Sequence, residues 1–196
     1  LKLYFMVGLP TETTADIDEI VSLCLRVKEV FLEASRPMGR IGEVTVSLNA
    51  FVPKPATPFQ WAAMDEVFVL KKKLKRVLQG LKAVPNVRVH ADRPGQARIQ
   101  AILSRGDRRM ATVLKAVHEN HGNWPQTLKA SDFNPDFFVT RTRREDERFP
   151  WDFIDHKVDK KYLWREYRRA LAGETTSACP LDRGCVRCGV CNTESA

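Results

Sequence analysis

No uninterrupted apolar run in this 196-residue chain approaches the roughly 20 residues that a membrane-spanning helix needs, so no membrane partner is expected. A secretory leader pattern is missing too, because an apolar strand and a long amphipathic helix follow Leu1 directly. The expected compartment is the cytoplasm. Neither an internal repeat nor a low-complexity tract occurs, which argues against a solenoid. An initiating Met is absent as well: the chain starts inside a strand pattern over residues 1–7. A lone strand cannot bury both of its faces. The expectation is a fragment whose upstream part is missing.

What is present fits a folded chain, since 43% hydrophobic and 29% charged residues are ordinary for a globular protein. The formal net charge of +8 can mark a nucleic-acid partner through phosphate neutralisation. Basic residues gather at 71–76, 105–109, 141–144 and 165–169. Acids interleave with some of them, as in Arg143-Arg144-Glu145-Asp146-Glu147, which is equally the pattern of a solvated face.

Periodicity organises the first half. Thr13 or Thr14 caps a helix whose Ile17, Ile20, Val21, Cys24, Val27 and Phe31 share one face, ended by Arg36-Pro37-Met38-Gly39. In a strand from Glu43 to Val52, Val44, Val46, Leu48, Ala50 and Val52 point one way, and Thr45, Ser47, Asn49 and Phe51 the other. Such a strand suits a barrel wall, apolar towards helices and more polar towards a ligand. Pro53, Pro55 and Pro58 then predict an extended loop. A second helix over 65–83 buries Phe68, Leu70, Leu74, Val77, Leu78 and Leu81, and Val87 to Ala91 forms a strand parallel to its neighbours. Helices follow at 97–103, 108–119 and 160–171, with Asp107 and Gly122 bounding the second. Residues 124–150 look loop-rich. His118 and His121 are spaced one residue too short for a zinc-protease pair and are expected at the surface.

Four of the five cysteines fall within thirteen residues, as Cys179-Pro-x4-Cys185-x2-Cys188-x2-Cys191. In a reducing compartment this clustering points to metal before disulfides. Tight turns between the thiolates, eased by Gly184 and Gly189, let them share one centre. Two occupants stay open. Consecutive x2 spacings are similar to one arm of a bacterial ferredoxin site, whereas four thiolates also suit a structural zinc. Cys24 lies on an apolar helix face and is expected in the core.

Several motifs together resemble a family. Residues 4–13, with Val7-Gly8-Leu9-Pro10-Thr11-Glu12, and residues 47–61, with Phe51-Val52-Pro53-Lys54-Pro55-Ala56-Thr57-Pro58, are similar to late strands of the radical S-adenosylmethionine domain. The likeness is to the branch with an upstream cobalamin-binding domain. Ser104-Arg105-Gly106-Asp107-Arg108-Arg109, Phe149-Pro150-Trp151-Asp152-Phe153-Ile154-Asp155 and the run from Ala170 to Thr176 resemble it too. This resemblance implies an α/β fold: the C-terminal part of a partial (β/α) barrel, then a mostly helical region and a cysteine-rich tail. The division expected is 1–93 for the barrel part, 94–172 for the helical region and 173–196 for the tail.

The resemblance also implies a 4Fe–4S cluster that cleaves S-adenosylmethionine to a 5′-deoxyadenosyl radical, with cobalamin held by the missing upstream domain. Gly8, Phe51, Val52 and Pro53 would lie near the adenosine. The family's initiating C-x3-C-x2-C motif is absent, and the terminal cysteines do not replace it, so the fragment alone is expected to be inactive. Cys179, Cys185, Cys188 and Cys191 would then form an accessory cluster or zinc site. The substrate class stays open between RNA and protein, with the basic clusters favouring RNA. The rival expectation is a zinc-knot nucleic-acid-binding module without catalytic activity.

Overall fold

The computed structural model describes residues 1–180 and 185–192. The chain forms two compact units, one made of Leu1–Val52 and Met64–Arg98, the other of Pro53–Ala63 and the described residues from Ile99 onward. No helix among the described residues is long and apolar enough to cross a membrane.

In the first unit β1 (Lys2–Val7), α1 (Thr14–Ser35), β2 (Val44–Ala50), α2 (Val67–Leu81) and β3 (Val87–Ala91) follow one another. The strands pair in parallel in the order β1-β2-β3. Parallel neighbours require a crossover, and α1 and α2 provide the two. Thr13 starts α1 with a capping box, its side chain accepting from the Asp16 backbone while the Asp16 carboxylate accepts from the Thr13 backbone. The expected alternation is observed over Val44–Ala50: Val44, Val46, Leu48 and Ala50 are buried, the first three in one cluster with Ile17 and Cys24 of α1 and Leu74, Val77 and Leu81 of α2. The strand stops there, and Phe51, expected on its polar face, lies beyond it and is buried. Each such aliphatic side chain contributes about 1.5–3 kcal/mol on burial. Burial also pushes the Cys24 thiol pKa up, in keeping with a core role.

The other face of the sheet is open. Tyr4 is 67% and Met6 49% exposed, and Asn49, Arg88 and His90 are exposed beside them. The α/β class and the parallel sheet expected from the sequence are thus present, but three strands do not close a barrel. Two residues of α2 depart from expectation, since Phe68 and Leu78 are exposed rather than buried. They flank the stripe formed by Leu70, Leu74, Val77 and Leu81, and the Lys72 ammonium lies over the Phe68 ring, 5.4 Å from its centre.

The second unit is helical. The tract of three prolines is not wholly extended, because Pro58–Trp61 forms a 3-10 turn. Pro58 opens it, where no N–H is required of it. Next come α3 (Pro94–Arg105), whose first residues belong to the first unit, α4 (Met110–Glu119), α5 (Trp124–Ala130), α6 (Pro135–Val139) and α7 (Lys160–Leu171). The stretch expected to be loop-rich therefore holds two short helices. Each starts on an Asn cap, Asn123 or Asn134, with proline in its first turn.

Trp61 is the centre of this unit. It is fully buried, with ring centres of Trp164 at 5.1 Å, Phe149 at 5.6 Å and Tyr167 at 6.1 Å. Two arginines of the basic clusters are buried here rather than solvated. Arg105 donates to the carbonyls of Ala62 at 2.7 Å and Gln60 at 3.4 Å. Burial, then repulsion from Arg143, lowers its pKa to about 9. Arg143 donates to the carbonyls of Phe138 and Arg105 and lies over the rings of Phe149 and Trp151. These cations fasten backbone, which is why their side chains cannot serve as a solvent-facing patch.

Arg141 grips Glu147 with two hydrogen bonds, of 2.8 and 2.6 Å, and holds that carboxyl below the usual carboxylate range. A lowered pKa in the folded state stabilises above the unfolded value of about 4.3 and is lost as pH falls through the folded value. Urea unfolding between neutral and acid pH should therefore show stability declining below about pH 4.3, with a shallower decline for Arg141→Gln.

Candidate functional site

Ligands of parallel sheets bind beyond the carboxyl ends of the strands. At that edge Gly8 follows β1 with φ +91°, a conformation that favours glycine. Its N–H donates to both carboxylate oxygens of Glu12, at 3.0 and 2.9 Å. The Glu12 side chain is only 6% exposed and pairs with the Lys73 ammonium at 2.8 Å, which also meets Asp65 at 2.7 Å. Partial burial opposes the Lys73 charge, but hydrogen bonds to Asp65 and Glu12 outweigh it and raise its pKa. The result is a fixed carboxylate–ammonium–carboxylate chain directly behind the β1 turn. Sequence reasoning missed Glu12, Asp65 and Lys73, since nothing local relates a residue of the β1 turn to one in α2.

A second polar knot closes the β2 and β3 ends. Asp92 accepts from the Asn49 side chain at 3.2 Å and from the Ala50 backbone at 3.3 Å, while its own N–H donates to the Leu48 carbonyl. Between the knots, the Phe51 N–H donates to the Val7 carbonyl at 2.8 Å and continues the ladder. Of the residues expected near an adenosine, Gly8, Phe51 and Val52 thus sit at one edge of the first unit. Gly8 and Phe51 follow the paired residues Val7 and Ala50. Pro53 is buried and begins a segment of the second unit.

Gly8 also meets a packing demand. A Cβ there would come within 2.6 Å of Leu70 Cδ2, and Leu70 is fully buried. Gly8→Ala combines that collision with a left-handed backbone. It should lower stability by at least about 1–3 kcal/mol in denaturant unfolding.

The tail cysteines lie in the second unit. Cys179 is exposed, and Cys185, Cys188 and Cys191 are half-buried. The Cys188 carbonyl accepts from the N–H of Asp159, the cap of α7, at 2.8 Å. Gly189 has φ +91° and lies against the Lys157 carbonyl, which an added Cβ would approach at 3.3 Å. Arg187, between two of the cysteines, donates to the carbonyls of Ser177 and Ala178, just ahead of Cys179. The stretch between Cys185 and Cys188 is thereby tied back to the residues just ahead of Cys179. The donor chemistry fits a thiophilic metal, yet no three His, Cys, Asp or Glu side chains among the described residues form a metal-binding group. Residues 181–184, including Gly184, lie outside the described residues. His118 and His121 are exposed, as expected.

No family model matches the chain, and no solved structure does. It is 37% identical over 114 residues to an uncharacterized protein of Methanocaldococcus jannaschii, a match that covers 58% of this chain. The chain spans 23% of that relative's length.

Proposed function

We infer that the chain is the C-terminal portion of a radical S-adenosylmethionine enzyme, with its first unit as the last part of a partial barrel wall. One observation carries this reading. The sheet is entirely parallel, α1 and α2 cover one face, and the other face is open with Tyr4, Met6, Asn49 and His90. All-parallel sheets nearly always have both faces covered. A bare face beside polar strand ends is what a barrel interior with a bound cofactor requires. Gly8, Phe51, Val52 and Pro53 would border the nucleoside, and the Glu12–Lys73–Asp65 chain would hold the Gly8 turn rigid behind it. When bound, the primary cluster and S-adenosylmethionine supply the electron and the radical; that cluster, and any cobalamin, would be held by parts of the enzyme other than this chain.

Cys179, Cys185, Cys188 and Cys191 would hold an accessory iron–sulfur cluster or zinc. Metal binding supplies the free energy that gathers such thiolates, and the Arg187 ties reduce the chain entropy this must overcome. Anaerobic addition of iron and sulfide to the chain should yield a brown protein with visible charge-transfer absorption. A colourless protein retaining one zinc would sink the cluster assignment and favour the zinc-knot module. Loss of both metals would remove the accessory site altogether.

A further inference from the structure

Several basic residues of the second unit border two adjoining clefts. Two clefts, of about 450 and 680 Å³, share Asp107 and Pro150 in their linings and are therefore contiguous. Each volume falls within the roughly 300–1,000 Å³ of small-ligand sites. Arg141, Arg143 and Arg148 line the smaller, and Arg108 and Arg109 the larger. Asp107 and Glu147 are the acids present, and Arg109 and Arg141 already hold them. The side chains of Arg108 and Arg148 are exposed and make no hydrogen bond or salt bridge among the described residues, although the Arg108 charge acts on the nearby Asp107 carboxylate. Arg143 is only 4% exposed and already donates to the carbonyls of Phe138 and Arg105, so it adds positive charge behind the cleft but offers no free donor to it.

Two aromatic rings complete the lining. Phe153 is 85% exposed in the larger cleft, and Phe137, 49% exposed in the smaller, carries the Arg141 guanidinium 4.4 Å above its ring. Unpaired arginines beside open aromatic faces match a backbone of phosphates bearing unstacked bases. A peptide could set carboxylates against the arginines, but a single-stranded nucleic acid carries an anion and a flat unstacked ring in every unit of its chain. A duplex would present no open base face.

We propose that the Arg108–Arg148–Phe153 cleft of the second unit binds single-stranded RNA, with phosphates on Arg108 and Arg148 and a base stacked on Phe153. Single-stranded loops and bulges are the form in which RNA offers both groups together. The site does not rest on the radical reading, because it needs neither cluster nor cofactor.

Fluorescence anisotropy with a labelled oligouridine of about 12 nucleotides, within the range of single-strand site sizes, tests this on the whole 196-residue chain. Phe153→Ala should weaken binding about tenfold. Arg108→Gln with Arg148→Gln should flatten the log–log salt dependence by about 1.4, because each single-strand phosphate left without its cation reduces the slope by roughly 0.7. Lys71→Gln with Lys75→Gln removes the same charge from exposed positions of α2 and should leave both quantities unchanged. The ribose oligomer should bind at least as tightly as its deoxy counterpart. Absence of binding, equal losses in the lysine and arginine pairs, an unaffected Phe153→Ala, or a preference for DNA would each overturn the proposal. None of these outcomes bears on cofactor chemistry, so failure here leaves the radical reading standing.

Discussion

Trp61→Ala is expected to destabilise the second unit by about 3–5 kcal/mol, the range for deleting a large buried aromatic side chain. Trp61 packs on Phe149, Trp164 and Tyr167 at once, so its loss unseats three rings together. Its carbonyl also accepts the Arg143 N–H at 2.8 Å, so the 3-10 turn and the buried guanidinium are seated together. Trp61→Phe should cost much less. The indole N–H has no acceptor in the structure, and its removal takes away an unsatisfied buried donor along with some volume. Urea unfolding followed by near-ultraviolet circular dichroism separates the two variants, because the signal comes largely from this aromatic group. Equal costs for both would mean that the ring's size matters less than its N–H.

The second large effect concerns the tail. Cys188→Ser should reduce bound metal to background, since a hydroxyl is a poor replacement for a thiolate on a soft centre. Cys185→Ser and Cys191→Ser should behave alike, and Cys179→Ser should follow them if the upstream thiolate is the fourth ligand. Cys24→Ala is the control. That thiol is fully buried in the first unit with its pKa pushed up, so metal content should not change. Iron and zinc are measured together by elemental analysis after anaerobic purification. Retention of metal in Cys188→Ser would move the site away from the tail.

The first unit is readable from sequence because its signals are periodic and local. Strand alternation in β2 and the apolar stripe of α1 each place a hydrophobic face without reference to the rest of the chain. Phe68 and Leu78 show the limit of that method: the stripe of α2 is narrower than its apolar content, and only packing decides which flank is left out. The two short helices from Trp124 onward are hidden because caps and proline, not periodicity, start them. Arg105 and Arg143 are hidden more deeply. Arginine is among the least buried residue types, and these two are buried only because carbonyls and aromatic rings from distant segments meet their guanidinium groups.

The candidate site divides along the same line. Cysteine spacing is written in consecutive residues and can be read directly. That Arg187 ties the segment back to Ser177 and Ala178 cannot, and neither can the chain from Gly8 through Glu12 to Lys73 and Asp65. Those interactions join parts of the sequence that only the fold brings together.

The central claim is that this chain belongs to an enzyme that generates a radical from S-adenosylmethionine. The direct measurement takes the complete protein encoded by the reading frame, purified without oxygen, and supplies S-adenosylmethionine and a strong one-electron reductant. Chromatography with mass detection should then find 5′-deoxyadenosine accumulating with protein and reductant both present. A cluster-loaded complete protein that releases none, under conditions where the reductant bleaches the cluster, would contradict the account.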